Sequence, residues 1–118
     1  MSNTENIIVT KSFAFAKRIV DLNKFLLSEK KEYTISKQVT RSGTSIGANV
    51  FEAQNAQSNA DFASKINIAL KEATETLYWL MLLYETDYIT QKEFKSLETD
   101  LNDIRNILAA ICKTAYNK

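Results

Sequence analysis

The sequence holds no proline and only two glycines among its 118 residues. Sheet architectures built from many tight turns draw on those residues for kinks and for positive φ, and without them such folds are improbable. Long uninterrupted helices face no such obstacle, so an all-helical protein is the expectation. With 45% apolar and 25% charged residues, the chain has material for one core, and a single domain over residues 1–118 is expected.

Much catalytic chemistry is missing from the side-chain inventory. There is no histidine and one cysteine, Cys112, which excludes an intrachain disulfide, a Cys/His zinc site and a histidine general base. A di-iron carboxylate bundle built on Glu52, Glu72, Glu75 and Glu85 would need Glu-x-x-His pairs and fails on the same count. No glycine-rich strand-to-helix turn offers a phosphate loop. The chain is therefore expected to be neither an enzyme nor the holder of a metal or cofactor.

Charge is nearly balanced, with 15 basic against 14 acidic side chains. The two halves differ, however. Residues 1–60 carry 8 basic and 5 acidic groups, and residues 61–118 carry 7 and 9. Scattered solvated lysines would produce the same imbalance, but a basic face toward RNA would use Lys17, Arg18, Lys24, Lys30 and Lys31. No charged-then-apolar leader opens the chain and no apolar run approaches about 18 residues, so a cytoplasmic protein without a membrane segment is expected.

Helical periodicity recurs in four segments. The first, about residues 5–28, places Ile8, Phe15, Ile19, Leu22 and Leu26 on one stripe. Thr34 stands where an N-cap would open the second, about 34–57, with Ile35, Val39, Ile46, Val50 and Ala53 on its stripe. Ser58 to Asp61 reads as a capping box for the third, about 59–86, whose core face is expected to hold Phe62, Ile66, Ala69, Leu70, Ala73, Leu77, Leu80, Met81 and Tyr84. Thr90 to Glu93 is the clearest capping box and opens the fourth, about 91–115, with Phe94, Leu97, Leu101, Ile104, Leu108, Ile111 and Cys112 inward. Short connections let such helices run up and down as an antiparallel four-helix bundle.

A lone bundle needs one apolar stripe per helix, and the third segment has a surplus. Ile68, Trp79 and Leu82, with Leu83 at the margin, point roughly away from its expected core face. Either Trp79 rests half exposed against a neighbouring helix, or these side chains meet another subunit, with Phe51 of the second segment as a further contact.

The second segment carries Gly43 and Gly47 at i, i+4 in its interior, each costing about 1 kcal/mol of helix stability relative to alanine. Close approach of another helix would offset that; a ligand against bare backbone is the alternative. On the same segment Arg41, Ser45, Asn49 and Glu52 form a polar seam beside the apolar stripe. If buried, these groups must satisfy one another or the backbone.

At Gln38, Arg41, Ser45-Ile46, Asn49-Val50, Glu52, Asp61-Phe62, Ala69 and Glu75, with the Thr86-Asp-Tyr-Ile89 turn, the sequence resembles the bacterial bundle proteins encoded by intervening sequences within 23S ribosomal RNA genes. The match spans about residues 8–115, and it departs from the family pattern at Ala53, where glycine usually follows the glutamate. The resemblance implies a left-handed up-and-down four-helix bundle, a ring-shaped homo-oligomer of five copies, and association with ribosomal RNA or other nucleic acid. The chain is also similar to the accessory variability protein of diversity-generating retroelements. That likeness implies an alternative role, an adaptor for a partner enzyme such as a reverse transcriptase.

Overall fold

The structure, a computed structural model, describes residues 3–116. Residues 1–2 and 117–118, within the domain span expected from sequence, lie outside the described residues. Four helices follow in order: α1 (Asn3–Ser28), α2 (Ile35–Ala53), α3 (Asn59–Glu85) and α4 (Gln91–Tyr116). Among the described residues there is no strand and no helix long and apolar enough to cross a membrane. The helices pack in a closed square, α1 on α2, α2 on α3, α3 on α4 and α4 back on α1, in a body of 46 × 21 × 19 Å.

The core draws on every helix. Phe15, Ile19 and Leu26 meet Val39, Ile46 and Val50, then Ile66, Leu80 and Leu83, then Leu101, Ile104 and Leu108. Burying each such aliphatic side chain contributes about 1.5–3 kcal/mol. Polar contacts tie the same neighbours together: Lys11 to Asp103 and Arg18 to Asp100 between α1 and α4, Arg41 to Glu72 and Glu52 to Lys65 between α2 and α3, and Asn59 to the Ala115 carbonyl between α3 and α4. Inside the α2–α3 contact the Thr76 hydroxyl hydrogen-bonds Ser42 Oγ at 2.9 Å, so two groups in an apolar setting satisfy each other.

The helix ends show how local sequence sets the boundaries. At Thr90 the capping box is complete: the Thr90 N–H donates to Glu93 Oε1 at 2.8 Å and the Glu93 N–H donates to Thr90 Oγ1 at 3.1 Å. Ser58 Oγ likewise accepts from the Asp61 N–H at 3.0 Å. Thr34 occupies the N-cap position of α2 but its side chain makes no capping bond. The cap is Glu32, whose carboxylate accepts from the Thr34 and Ser36 N–H groups at 3.2 and 2.7 Å. Burial alone would push the Glu32 carboxyl up, yet hydrogen bonds from Ser36, Ile35 and Thr34 outweigh it and hold it below the usual carboxylate range.

Helix α2 also stops earlier than its periodicity suggests. The N–H groups of Gln54, Asn55 and Ala56 donate three residues back, to Phe51, Glu52 and Ala53. The last turn therefore tightens and unwinds where the residues after Ala53 offer nothing large to bury.

Both α2 glycines serve helix packing. A Cβ on Gly43 would lie 2.8 and 2.9 Å from Cγ1 and Cγ2 of Ile19, and one on Gly47 would lie 3.2 Å from the Ser12 carbonyl oxygen. The Ile19 atoms sit next to its stiff β-branched carbon and cannot swing aside. Gly43→Ala should gain about 1 kcal/mol of helix propensity but lose about 1–3 kcal/mol to overpacking, for a net destabilisation. In chemical denaturation the Gly43→Ala/Ile19→Ala pair should lose clearly less than the sum of its single variants; strict additivity would mean the two positions do not press on each other.

Candidate functional site

Three surfaces carry the residues that the sequence singles out. The first is the polar seam between α2 and α3. Arg41 Nη1 lies 3.2 Å from Glu72 Oε2 and Nη2 lies 2.5 Å from Glu75 Oε2. Trp79 Nε1 donates to the same Glu75 oxygen at 2.9 Å. Further along, Ser45 Oγ donates to the Arg41 carbonyl at 2.6 Å and Asn49 Nδ2 donates to the Ser45 carbonyl at 2.8 Å. Glu52, at the far end, is exposed and pairs with Lys65 at 3.5 Å.

The seam is thus a line and not a focus. Arg41 and Glu52 are 11 positions apart on one helix, about 16 Å at 1.5 Å per residue. Each polar group is already occupied by backbone or by a residue of α3. No nucleophile meets a base along it. Hydrogen bonding from Trp79, reinforced by Arg41, holds the Glu75 carboxyl below its usual range despite partial burial, and the two glutamates raise the Arg41 pKa, the Glu75 hydrogen bond most. Among the described residues no group of three or more His, Cys, Asp or Glu side chains could hold a metal ion.

The second surface is the outer groove between α1 and α2, with a volume of about 790 Å³. Small residues line it, Ala14 and Ala16 from α1 with Gly47 and Ala48 from α2, so it stays concave. Phe13 and Phe51 stand on its walls at 65% and 68% exposure. Lys17 and Glu52 complete the lining, and Lys17 Nζ reaches 5.6 Å from the centre of the Phe13 ring. Phenylalanines with about two-thirds of their surface in water are an unfavourable arrangement for a solitary bundle.

The third surface is the outward face of α3, where the structure corrects the sequence reading. Leu83 is completely buried in the core of its own bundle and cannot contact another subunit. The buried stripe of α3 is Ala63, Ile66, Ala69, Ala73, Thr76, Leu80 and Leu83. It is rotated from the expected one because α3 turns its small residues inward, where neighbouring helices approach closely. Met81, expected in the core, is exposed in consequence. Trp79 and Leu82 are half-buried, and Trp79 packs against the core of its own chain. What α3 leaves outside is Ile68, Tyr78 and Met81. The alanines at 63, 69 and 73, recurring at helical spacing, were the available signal for this rotation.

The basic residues divide as well. Arg18 is committed to α4, donating to Asp100 Oδ2 at 2.7 Å, to Ser96 Oγ at 2.9 Å and to the Ser96 carbonyl at 3.3 Å, so it is not a free cation for phosphate. Lys17, Lys24, Lys30 and Lys31 are exposed. Lys30 lies 5.7 Å from the Phe25 ring centre, and Lys31 turns the chain between α1 and α2 with φ 52°. None of these four joins an ion pair among the described residues.

Comparison with known proteins is consistent with this geometry. The model of the 23S rRNA-intervening sequence protein family matches residues 4–110. The crystal structure of a protein with unknown function from the S23 ribosomal protein family of Bacteroides thetaiotaomicron is similar to this chain throughout, with a TM-score of 0.92 and 55% sequence identity over 93% of this chain and 98% of that one. No curated protein matches the sequence.

Trp79 is the sole tryptophan, so its emission reports on Glu75 directly. A carboxyl with a depressed pKa stabilises the fold above its unfolded-state value and loses that contribution as the pH falls through the folded value. Titrating fluorescence should therefore give a midpoint below 4.5. Arg41→Ala should move that midpoint upward, and Glu75→Gln should remove it; a midpoint indifferent to Arg41→Ala would show that the guanidinium does not act on Glu75.

Proposed function

This chain belongs to the 23S rRNA-intervening sequence protein family, and from that membership we propose that it serves as a non-catalytic, self-assembling scaffold for RNA. In this reading the bundle runs up and down with antiparallel neighbours. Support comes from the contacts between helices, whose numbers rise along one helix while they fall along the next, as in Lys11 with Asp103 and Arg18 with Asp100. Copies of the bundle associate into a homopentameric ring in the cytoplasm.

The observation that carries the scaffold reading is the apolar surface a single copy leaves in water. Phe13 and Phe51 flank a groove on one side, and Tyr78, Met81 and Ile68 stand out from α3. Exposed apolar side chains of this size are what association surfaces use. A non-catalytic role is supported by the seam, in which Arg41, Ser45, Asn49 and Glu52 hold neighbouring backbone and α3 and converge on no common point. RNA is the expected ligand of Lys17, Lys24, Lys30 and Lys31, which lie along α1 and its following turn and join no ion pair among the described residues.

Two measurements test this reading. Light scattering behind size exclusion should give about five times the 13.4 kDa chain mass; a monomer at micromolar concentration removes the scaffold. Structured ribosomal RNA fragments should bind with affinity that falls steeply with salt. Replacing Lys17, Lys24, Lys30 and Lys31 by glutamine should reduce the slope of log K against log salt by roughly 3, and no binding at low salt leaves self-assembly without RNA.

A further inference from the structure

We infer that the RNA held by this chain is single-stranded, with Tyr33 stacking on an unpaired base while Lys17, Lys24, Lys31 and Lys37 hold the phosphates around it. This inference rests on the RNA association proposed above and names the form of RNA and the strip of surface that takes it.

The strip runs along the outer side of α1 and α2, away from the groove and toward the turn that joins the two helices. Val20 and Leu27, both exposed, continue at seven-residue spacing the line that Phe13 begins in the groove wall. Lys17 and Lys24, also seven apart, lie beside that line within about 80°. On α2, Lys37 stands two turns before Thr44, which lines the groove, and so shares its side. The connecting turn adds Lys31 and Tyr33.

Charge on the strip is of one sign, and each neighbouring carboxylate has another place. Asp21 and Phe25 line the cleft on the α4 flank of α1, and Glu29, whose N–H donates to the Phe25 carbonyl, continues that flank. Lys30 folds over the Phe25 ring on the same side. Glu32 is buried and its carboxylate caps α2. Glu52, beyond the groove, pairs with Lys65. Four ammonium groups are left between Lys17 and Lys37, and none joins an ion pair among the described residues. Such a surface is complementary to a polyphosphate backbone.

The cap of α2 also prepares the aromatic ring. The Glu32 N–H donates to the Leu26 carbonyl at 3.0 Å, and its carboxylate is held by Thr34 and Ser36. With residue 32 fixed inward at backbone and side chain, Tyr33 is turned outward and stands 61% exposed. A platform already held in place loses little freedom when a base lies on it. Duplex RNA would set ribose and phosphate against Val20, Leu27 and Tyr33, which offer them no hydrogen bonds beyond one phenol. Unpaired bases present π-faces to such side chains, and aromatic stacking interleaved with lysine is how single strands are held. A structured RNA is then met at its loops and unpaired ends.

Fluorescence anisotropy at low salt tests this with a labelled strand of uridine and cytidine, alone and annealed to its complement. The single strand should bind at least roughly 10-fold tighter than the duplex. Tyr33→Ala should weaken the single strand roughly 10-fold with its salt dependence unchanged, and Tyr33→Trp should restore it. The ring is exposed, so both variants should fold, which circular dichroism verifies. Lys24→Gln/Lys37→Gln should instead lower the slope of log K against log salt by about 1.4. A duplex bound as tightly as the single strand, or Tyr33→Ala binding the single strand as the wild type does, overturns the stacked single strand while RNA association stands. Failure to bind either form overturns both, and retention of the protein on phosphatidylglycerol vesicles would then identify the strip as facing lipid.

Discussion

The bundle depends on how closely α1 and α2 can approach, and that distance is set at Gly43. Ile19 presses its branched carbons against helix backbone where any other residue would place a Cβ within 3 Å. Two interior glycines cost about 2 kcal/mol in helix propensity, and a helix carrying them persists only because tertiary contact returns more. Ile19 is fully buried as a result, and Gly47 brings α2 within reach of the Ser12 backbone. The same small residues that let the helices close inside also leave the outer crease between them shallow and wide. Internal packing and the external groove are thus two faces of one sequence choice, since Gly47 both abuts Ser12 and lines the groove.

On its opposite flank α2 follows a different rule. The contact with α3 is polar at its rim, through Arg41 with Glu72 and Glu75, and has one buried hydroxyl pair, Ser42 with Thr76. Ion pairs this exposed contribute little to stability, on the order of 0–1 kcal/mol each. Their effect is on register. A one-residue slide of α3 along α2 would break the Thr76–Ser42 bond and leave each hydroxyl only a carbonyl of its own helix, Glu72 for Thr76 and Val39 for Ser42, a loss of about 0.5–1.5 kcal/mol. Apolar packing tolerates small slips, whereas paired buried hydroxyls do not.

Much of this architecture is legible in the residues alone. Four helices follow from uninterrupted periodicity without proline, and the start of α4 is written in Thr90 and Glu93, a local signal that needs no tertiary information. The rotation of α3 is not legible in the same way. Its apolar residues nearly encircle the helix from Leu77 to Tyr84, so periodicity has no clear minimum, and the inward direction is set by where Ala69 and Ala73 allow neighbours to approach. Leu83 goes in and Met81 comes out for that reason. The cap of α2 was obscured by another route. Thr34 has the right side chain at the right position, but a carboxylate two residues earlier reaches two N–H groups and displaces it. Size alone does not place Trp79 either: the indole is half-buried on its own core, and its N–H reaches a partner one turn back in Glu75, a contact that helical spacing allows but does not announce.

The polar contacts between α2 and α3 are spread along the whole length of the interface. The Ser42–Thr76 pair lies inside, the Arg41 fork to Glu72 and Glu75 lies at the rim beside it, and Glu52 with Lys65 closes the far end. Exposed pairs of this kind contribute little free energy one by one. Their positions matter more than their strength. A single contact would leave the helices free to pivot about it, whereas contacts separated by about 16 Å along α2 resist both sliding and a change of crossing angle. That gives a physical reason for polar residues from Arg41 to Glu52 on an otherwise apolar helix flank: the core supplies the attraction, and the seam selects one alignment among those that the core would accept.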